Sequence, residues 1–202
     1  MAWGLLQMAA TGSKHHTGCR LDGPKGPETR RLPRGPQMTD LQFRIRPAMQ
    51  EDRDAVLRVM EPWNMHHVPS PEMEALDLGC FFVAEVDGLV VGASGYRLLG
   101  AGKGKTTLLG VLPPYLGTGI GAALQDSRLQ AMAALGVHTV TTNADRPETI
   151  RWYKSRFGYR EVGRLQKIHS FGHPDIDHWT TLEMDLDQYM RAVSAREIVS
   201  PD

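Results

Sequence analysis

The 202-residue chain is poor in cysteine, with only Cys19 and Cys80. Two thiols cannot build a disulfide framework or a four-cysteine zinc site, and their scarcity suits a reducing, cytoplasmic compartment. Net charge is also lacking, since 23 Lys and Arg balance 23 Asp and Glu. A dedicated nucleic-acid binder carries a basic domain, so no nucleic-acid partner is expected. No run approaches about 18 consecutive apolar residues, which excludes a transmembrane helix and leaves no membrane partner to expect. The apolar opening MAWGLLQMAA has no positive residue before it, so it does not read as a secretory signal. Internal repeats are absent as well.

What remains is enough for one domain with a surplus. The surplus lies at the front. Residues 1–37 are crowded with Gly, Pro, Lys and Arg and have no apolar period. They cannot offset their own ordering entropy and are expected to form a disordered tail. Met38 is a candidate natural start. A single folded domain is expected over 38–190, with a polar C-terminal tail over 191–202. The adjacent His15 and His16 do not read as a metal site, and none is expected elsewhere.

Within the domain, Phe43–Pro47 alternates apolar and polar residues and predicts a short strand. Glu51–Met60 predicts a helix, and Pro71–Leu76 a second short one. Two β-rich runs, 81–86 and 89–96, flank Asp87-Gly88, the signature of a tight hairpin. A flexible Gly/Lys loop over 100–105 then leads to a strand at 106–111. From Gly117 a helix runs to about Leu135, with Ile120, Ala123, Leu124, Ser127, Ala131 and Leu135 on one expected core face. A strand over 137–142, a helix over 147–156, a strand ending near Ile168 and a last strand over 179–186 complete the order. This is an α/β fold, a mixed, mostly antiparallel central sheet flanked by helices.

Three phosphate-loop readings compete. Gly104-Lys105-Thr106 matches the end of a P-loop, but the first glycine is one residue out of place and a strand follows where a helix is needed. Gly117-x-Gly119-x-x-Ala122 loosely fits a dinucleotide fingerprint, yet three antiparallel strands precede it. The third reading takes the whole run from Val111 to Gly121. A strand ends, Pro113 and Pro114 withdraw from the ladder, and small residues open a long helix. The helix-terminal N–H groups would form an anion nest, and the preceding strand would splay from its neighbour and free polar groups for an extended amide ligand such as pantetheine. An ordinary glycine-rich helix start is the alternative.

That run resembles the acyl-CoA-binding motif of the GNAT superfamily of N-acyltransferases, V-x-P-x-x-(Q/R)-G-x-G-x-(G/A). Val111, Pro113, Gly117, Gly119 and Gly121 are in register, and Leu116 stands where the family carries Gln or Arg. Downstream, Asn143 and the segment through Tyr153 to Gly158-Tyr159 resemble the family's Asn, helix, Tyr and Gly-aromatic turn. Arg146 and Thr149 stand where Asn and Ala are frequent. The resemblance covers about residues 42–186.

The resemblance implies an N-acetyltransferase that moves an acetyl group from acetyl-CoA to a primary amine by direct attack in a ternary complex. A small metabolite is the expected acceptor; a protein N-acetyltransferase and a non-catalytic acyl-CoA-binding or sensing module are the alternatives. It implies acyl-CoA contacts from Val111, Leu112, Pro113, Leu116, Gly117, Thr118, Gly119, Ile120, Gly121, Ala122 and Asn143. A backbone N–H near Val111 would polarise the thioester carbonyl. Tyr153 would protonate the leaving sulfur as general acid; the plain alternative is a core aromatic on its helix. Neither cysteine is an expected acyl carrier, and a homodimer is left open. Glu85, Glu183, His169 and His178 are candidate bases. The segments Trp63–Pro71 and His169–Trp179 are expected to line the acceptor pocket.

Overall fold

Alternation along the early strands assigns one helix to each face of the sheet. Val83 packs with Val56, Val59 and Met60 in one core, while its neighbour Ala84 packs with Ile120 and Leu124 in another. Adjacent strand residues point to opposite faces, so both faces of this sheet are buried and each needs its own helix. The computed structural model describes residues 41–65 and 76–199, with side chains to 196. All belong to one compact unit. The expected tail over 1–37 lies outside the described residues, as does most of the expected helix over 71–76; Leu76 itself is not helical.

The strands are β1 (Arg44–Pro47), β2 (Phe81–Val86), β3 (Leu89–Gly100), β4 (Lys103–Val111), β5 (Thr139–Ala144), β6 (Arg160–Gln166) and β7 (His178–Asp185). The helices are α1 (Arg53–Met60), α2 (Ile120–Ala134), α3 (Pro147–Phe157) and α4 (Leu186–Val199). The strands form one sheet in the order β1-β2-β3-β4-β5-β7-β6. Only β4 and β5 pair in parallel; the other pairings are antiparallel. The Asp87-Gly88 hairpin forms as expected, both residues having positive φ. Where α2 crosses the sheet, a Cβ on Gly92 would press on Leu124 and Ile120, so glycine sets that close approach.

Two expectations need correction. The expected loop over 100–105 is a two-residue turn at Ala101-Gly102, and β4 already begins at Lys103. Gly104, Lys105 and Thr106 are therefore strand residues, and their amides serve the ladder rather than a phosphate. The buried face of α2 is Ile120, Leu124, Gln125, Arg128, Leu129 and Met132, while Leu135 is exposed. The expected face is rotated because it left out the two polar residues that the sheet beneath requires. The polar segment after the last strand is helical over 186–199; its Leu186 is fully buried and its Tyr189 hydroxyl donates to Asp126 across 2.6 Å.

Candidate active site

A strand separation is present, but it begins after Lys105, well ahead of Pro113-Pro114. β5 pairs with β4 only at Lys103↔Thr139, Gly104↔Val140 and Lys105↔Thr141. Beyond these positions β4 runs on to Val111 and β5 to Ala144 without pairing, β5 being held on its other side by β7. The Leu112 N–H donates to the Val91 carbonyl at 2.8 Å. By the alternation of an antiparallel ladder, Val111 opposite Gly92 then turns its own N–H and C=O away from β3, into the gap. Its carbonyl accepts from Trp63 Nε1 at 3.1 Å. Among the described residues no acceptor takes the Val111 N–H.

At the mouth of the gap a 3-10 turn over Pro113–Tyr115 leads into the start of α2. Gly117 and Gly119 have φ of 78° and 90°, which side chains with a Cβ rarely adopt. Nothing lies within 4 Å of where a Cβ on either would stand, so the space above them is open. The first helical bond of α2 runs from Ala123 N–H to Gly119 O, and no side chain caps the helix. The amides at the start of α2, Gly119 to Ala122, therefore have no partner within the helix, and among the described residues no side chain accepts from them. Thr118 Oγ1 donates to Tyr115 O at 2.7 Å and braces the turn. Leu116 is half exposed on its rim. The donor set and the open space suit a pyrophosphate.

On β5, Asn143 Oδ1 accepts from Thr181 Oγ1 at 3.1 Å, and among the described residues no acceptor takes its side-chain N–H groups. Tyr153 is buried, 3 % exposed, with its ring against Trp152, Phe157 and Tyr159. Its hydroxyl oxygen accepts from Arg128 Nη2 at 3.0 Å. The expected general acid thus sits inside the layer between α2 and α3.

The connection over 167–177 is pinned from two sides. Lys167 Nζ donates to Asp145 Oδ2 at 2.8 Å and to the carbonyls of Phe171 and His173, and it stands 4.6 Å from the centre of the Trp179 ring. Both members of this ion pair are almost wholly buried. Asn64 Nδ2 donates to the Ser170 and Gly172 carbonyls, and its own carbonyl accepts from Gly172 N–H. This segment is therefore a built wall. Across the gap the Arg146 guanidinium lies 5.8 Å from the centre of the Trp63 ring.

The candidate bases scatter. Glu85 is paired with Arg46 on β1, whose hydrogen bond holds its carboxyl below the usual range. Glu183 is bonded to Arg160 at 2.9 Å, His178 touches Asp177, and His169 stacks edge-on against Phe171. The structure does not bring the four together. Arg128, Asp145 and Lys167 were missed from sequence. The signal for Arg128 was the Gln125/Arg128 pair, spaced i, i+3 in an otherwise apolar helix. Asp145 and Lys167, twenty-two residues apart, carried none.

The acetyltransferase (GNAT) family model matches residues 41–159. Ard1 from Thermoplasma volcanium superposes with a TM-score of 0.61 at 22 % identity, covering 71 % of this chain and 97 % of that one. The ribosomal-protein-S18-alanine N-acetyltransferase of Escherichia coli gives 0.57 at 15 %, covering 72 % and 94 %. N-acetylglutamate synthase from Neisseria gonorrhoeae, complexed with coenzyme A and N-acetyl-glutamate, gives 0.57 at 17 %, covering 72 % of this chain and 35 % of that one. At such identities the likeness is one of fold. No curated protein matches the sequence.

Proposed function

The chain belongs to the GNAT acetyltransferase family and is an acyl-CoA-dependent N-acetyltransferase, and we propose that it moves an acetyl group from acetyl-CoA to the primary amine of a small metabolite, by direct attack in a ternary complex. The observation that carries this reading is the gap between β4 and β5, with the Val111 N–H turned into it and the uncapped amides of α2 at its mouth. An extended, amide-bearing thioester with a pyrophosphate matches both features.

In this reading the amides of residues 117–122 hold the pyrophosphate, the Leu116 N–H being taken by the Pro113 carbonyl at 3.3 Å. Asn143 donates to the pantetheine arm. The Val111 N–H donates to the thioester oxygen as negative charge develops there. Tyr153 donates its proton to the departing sulfur. In the same reading the pinned segment 167–177 and Trp63 line the acceptor side.

The test has two stages. Thermal shift with acetyl-CoA, CoA, NAD and ATP comes first; ligand at about 100 times its Kd adds about 2.7 kcal/mol, a shift of a few degrees. Thiol release is then measured with amino acids, polyamines and N-terminal peptides as acceptors. A shift with acetyl-CoA and CoA alone, and turnover with free amines above that with peptides, is the expected result. No shift with either CoA species would overturn the acyl-CoA reading. Turnover confined to peptides would replace the metabolite by a protein acceptor.

A further inference from the structure

Arg128 is fully buried, and all of its partners are neutral. Nη1 donates to the carbonyls of Gly95, Thr107 and Leu108 at 2.9, 3.0 and 3.2 Å. Nε and Nη2 both donate to Gln125 Oε1. Nη2 also donates to Tyr153 Oη at 3.0 Å. Among the described residues no carboxylate lies within ion-pair distance of this guanidinium. An arginine stays protonated in a protein, so a permanent positive charge is buried with no counter-charge, an arrangement that is costly unless something offsets it.

Part of the reason is local. Between Ser94↔Leu109 and Tyr96↔Thr106 the β3–β4 register shifts, so Thr107 and Leu108 stand opposite the single residue Gly95. Their freed carbonyls need donors in a buried place. The bulge also lies just past Lys105↔Thr141, where β4 and β5 part. The contact with Tyr153 is not needed to satisfy those carbonyls. It has its own consequence. Guanidinium groups only donate, so the phenol oxygen is the acceptor there and its O–H must donate elsewhere. Among the described residues no acceptor takes it.

We propose that Arg128 is the positioning residue for Tyr153: from the floor of the splay it holds the phenol oxygen, turns the hydroxyl proton toward the gap, and compensates the negative charge left on that oxygen when the proton is given up. The proposal rests on the acyltransferase reading. As the amine nitrogen bonds to the acyl carbon and the carbon–sulfur bond breaks, the electron pair goes to sulfur. The Tyr153 proton follows it, and the phenolate stays against Arg128. The proton lost by the new amide nitrogen returns to the phenolate. The buried cation thus lacks a counter-charge at rest because the reaction supplies one. Two other polar groups belong to the same cluster. Gln125 Nε2 donates to Tyr159 Oη at 3.2 Å, and burial raises the Tyr159 phenol above its ordinary range.

Two variants test this, each read by kcat and by the acetyl-CoA Kd. Gln125→Glu is isosteric, keeps an acceptor for Arg128, and places a permanent counter-charge beside it. It should fold, keep the Kd within about threefold, and lower kcat by tenfold or more, within the range of lost general-acid catalysis, about 10²–10⁴. Arg128→Lys keeps the charge but loses the fork. It should lower kcat about as much, yet by less than about threefold when Tyr153 is already Phe, because the two residues act as a unit. Wild-type kcat in Gln125→Glu overturns the proposal, even if Arg128→Lys does not fold. So does an equal loss from Arg128→Lys in both backgrounds, since a merely structural arginine would act without Tyr153. A wild-type chain that binds no acetyl-CoA would instead overturn the acyltransferase reading itself.

Discussion

The indole nitrogen of Trp63 donates to the carbonyl of Val111 across 3.1 Å, tying the segment after α1 to the last residue of β4. One lone pair of that carbonyl is taken, whereas the N–H of the same residue is turned into the gap. Trp63 also faces Arg146, the residue before α3 and two past the end of β5, so one side chain reaches from β4 to the segment that follows β5. Trp63→Phe keeps a ring and loses the donor. It should cost about 1 kcal/mol of stability, leave the acetyl-CoA Kd nearly unchanged, and raise the KM of the amine. Calorimetric melting and separate titration of the two substrates check this. A tenfold loss of acetyl-CoA affinity with an unchanged amine KM would put the indole on the other side of the reaction.

Gly119 holds φ at 90° at the start of α2 with open space around it. Gly119→Ala has room for its methyl group but strains the backbone by roughly 1–3 kcal/mol. Relief of that strain would re-aim the amides of the turn. The expected outcome is a lower Tm and a tenfold or greater rise in the Kd of CoA by isothermal titration. The KM of the amine should stay within error. Unchanged CoA affinity would remove this turn from the pyrophosphate site.

Leu116 is half exposed on the rim of the same turn, where the family carries Gln or Arg. Leu116→Arg removes an exposed apolar side chain and adds a cation beside the expected pyrophosphate. A charge-assisted hydrogen bond adds about 1.5–3 kcal/mol, which at a solvated rim should survive as a several-fold tighter Kd. The gain should shrink as salt rises from about 0.05 to 0.5 M, because screening acts on exposed charges. A gain indifferent to salt would point to some other contact.

Acid stability should depend on Asp52. Its carboxylate accepts two bonds from Arg46, at 2.6 and 2.9 Å, and one from the Met49 N–H at 2.8 Å. The Arg46 hydrogen bonds, more than any other influence, hold it below the usual carboxylate range. A depressed folded pKa stabilises fully above the unfolded value, about 3.9, and the contribution is lost as pH falls through the folded one. Asp52→Asn should therefore lower stability by about 2 kcal/mol at pH 7. The gap from wild type should close below about pH 4. Urea melts at pH 7, 5 and 3 check it; a constant gap would mean that packing, not charge, carries the effect.

Local chemistry made much of this protein legible in the sequence. The Asp87-Gly88 turn, the Pro147 helix start and the end of ladder pairing at Pro113-Pro114 follow from φ preferences and missing donors. Those are properties of single residues and their immediate neighbours. The glycines that open α2 were legible for the same reason. The tertiary structure decided what depends on partners distant in sequence. Arg128 lies in the core because a bulge twenty or more residues away frees carbonyls that need donors. Tyr153 faces Arg128 because α2 and α3 cover the same face of the sheet. Asp145 and Lys167 meet because β5 and the segment after β6 converge at one end of the sheet. Sequence periodicity told which side of a helix is apolar, and it misplaced the buried face of α2. Burying a charge is worthwhile only where several fixed dipoles converge on it, and that convergence exists only once the chain has folded.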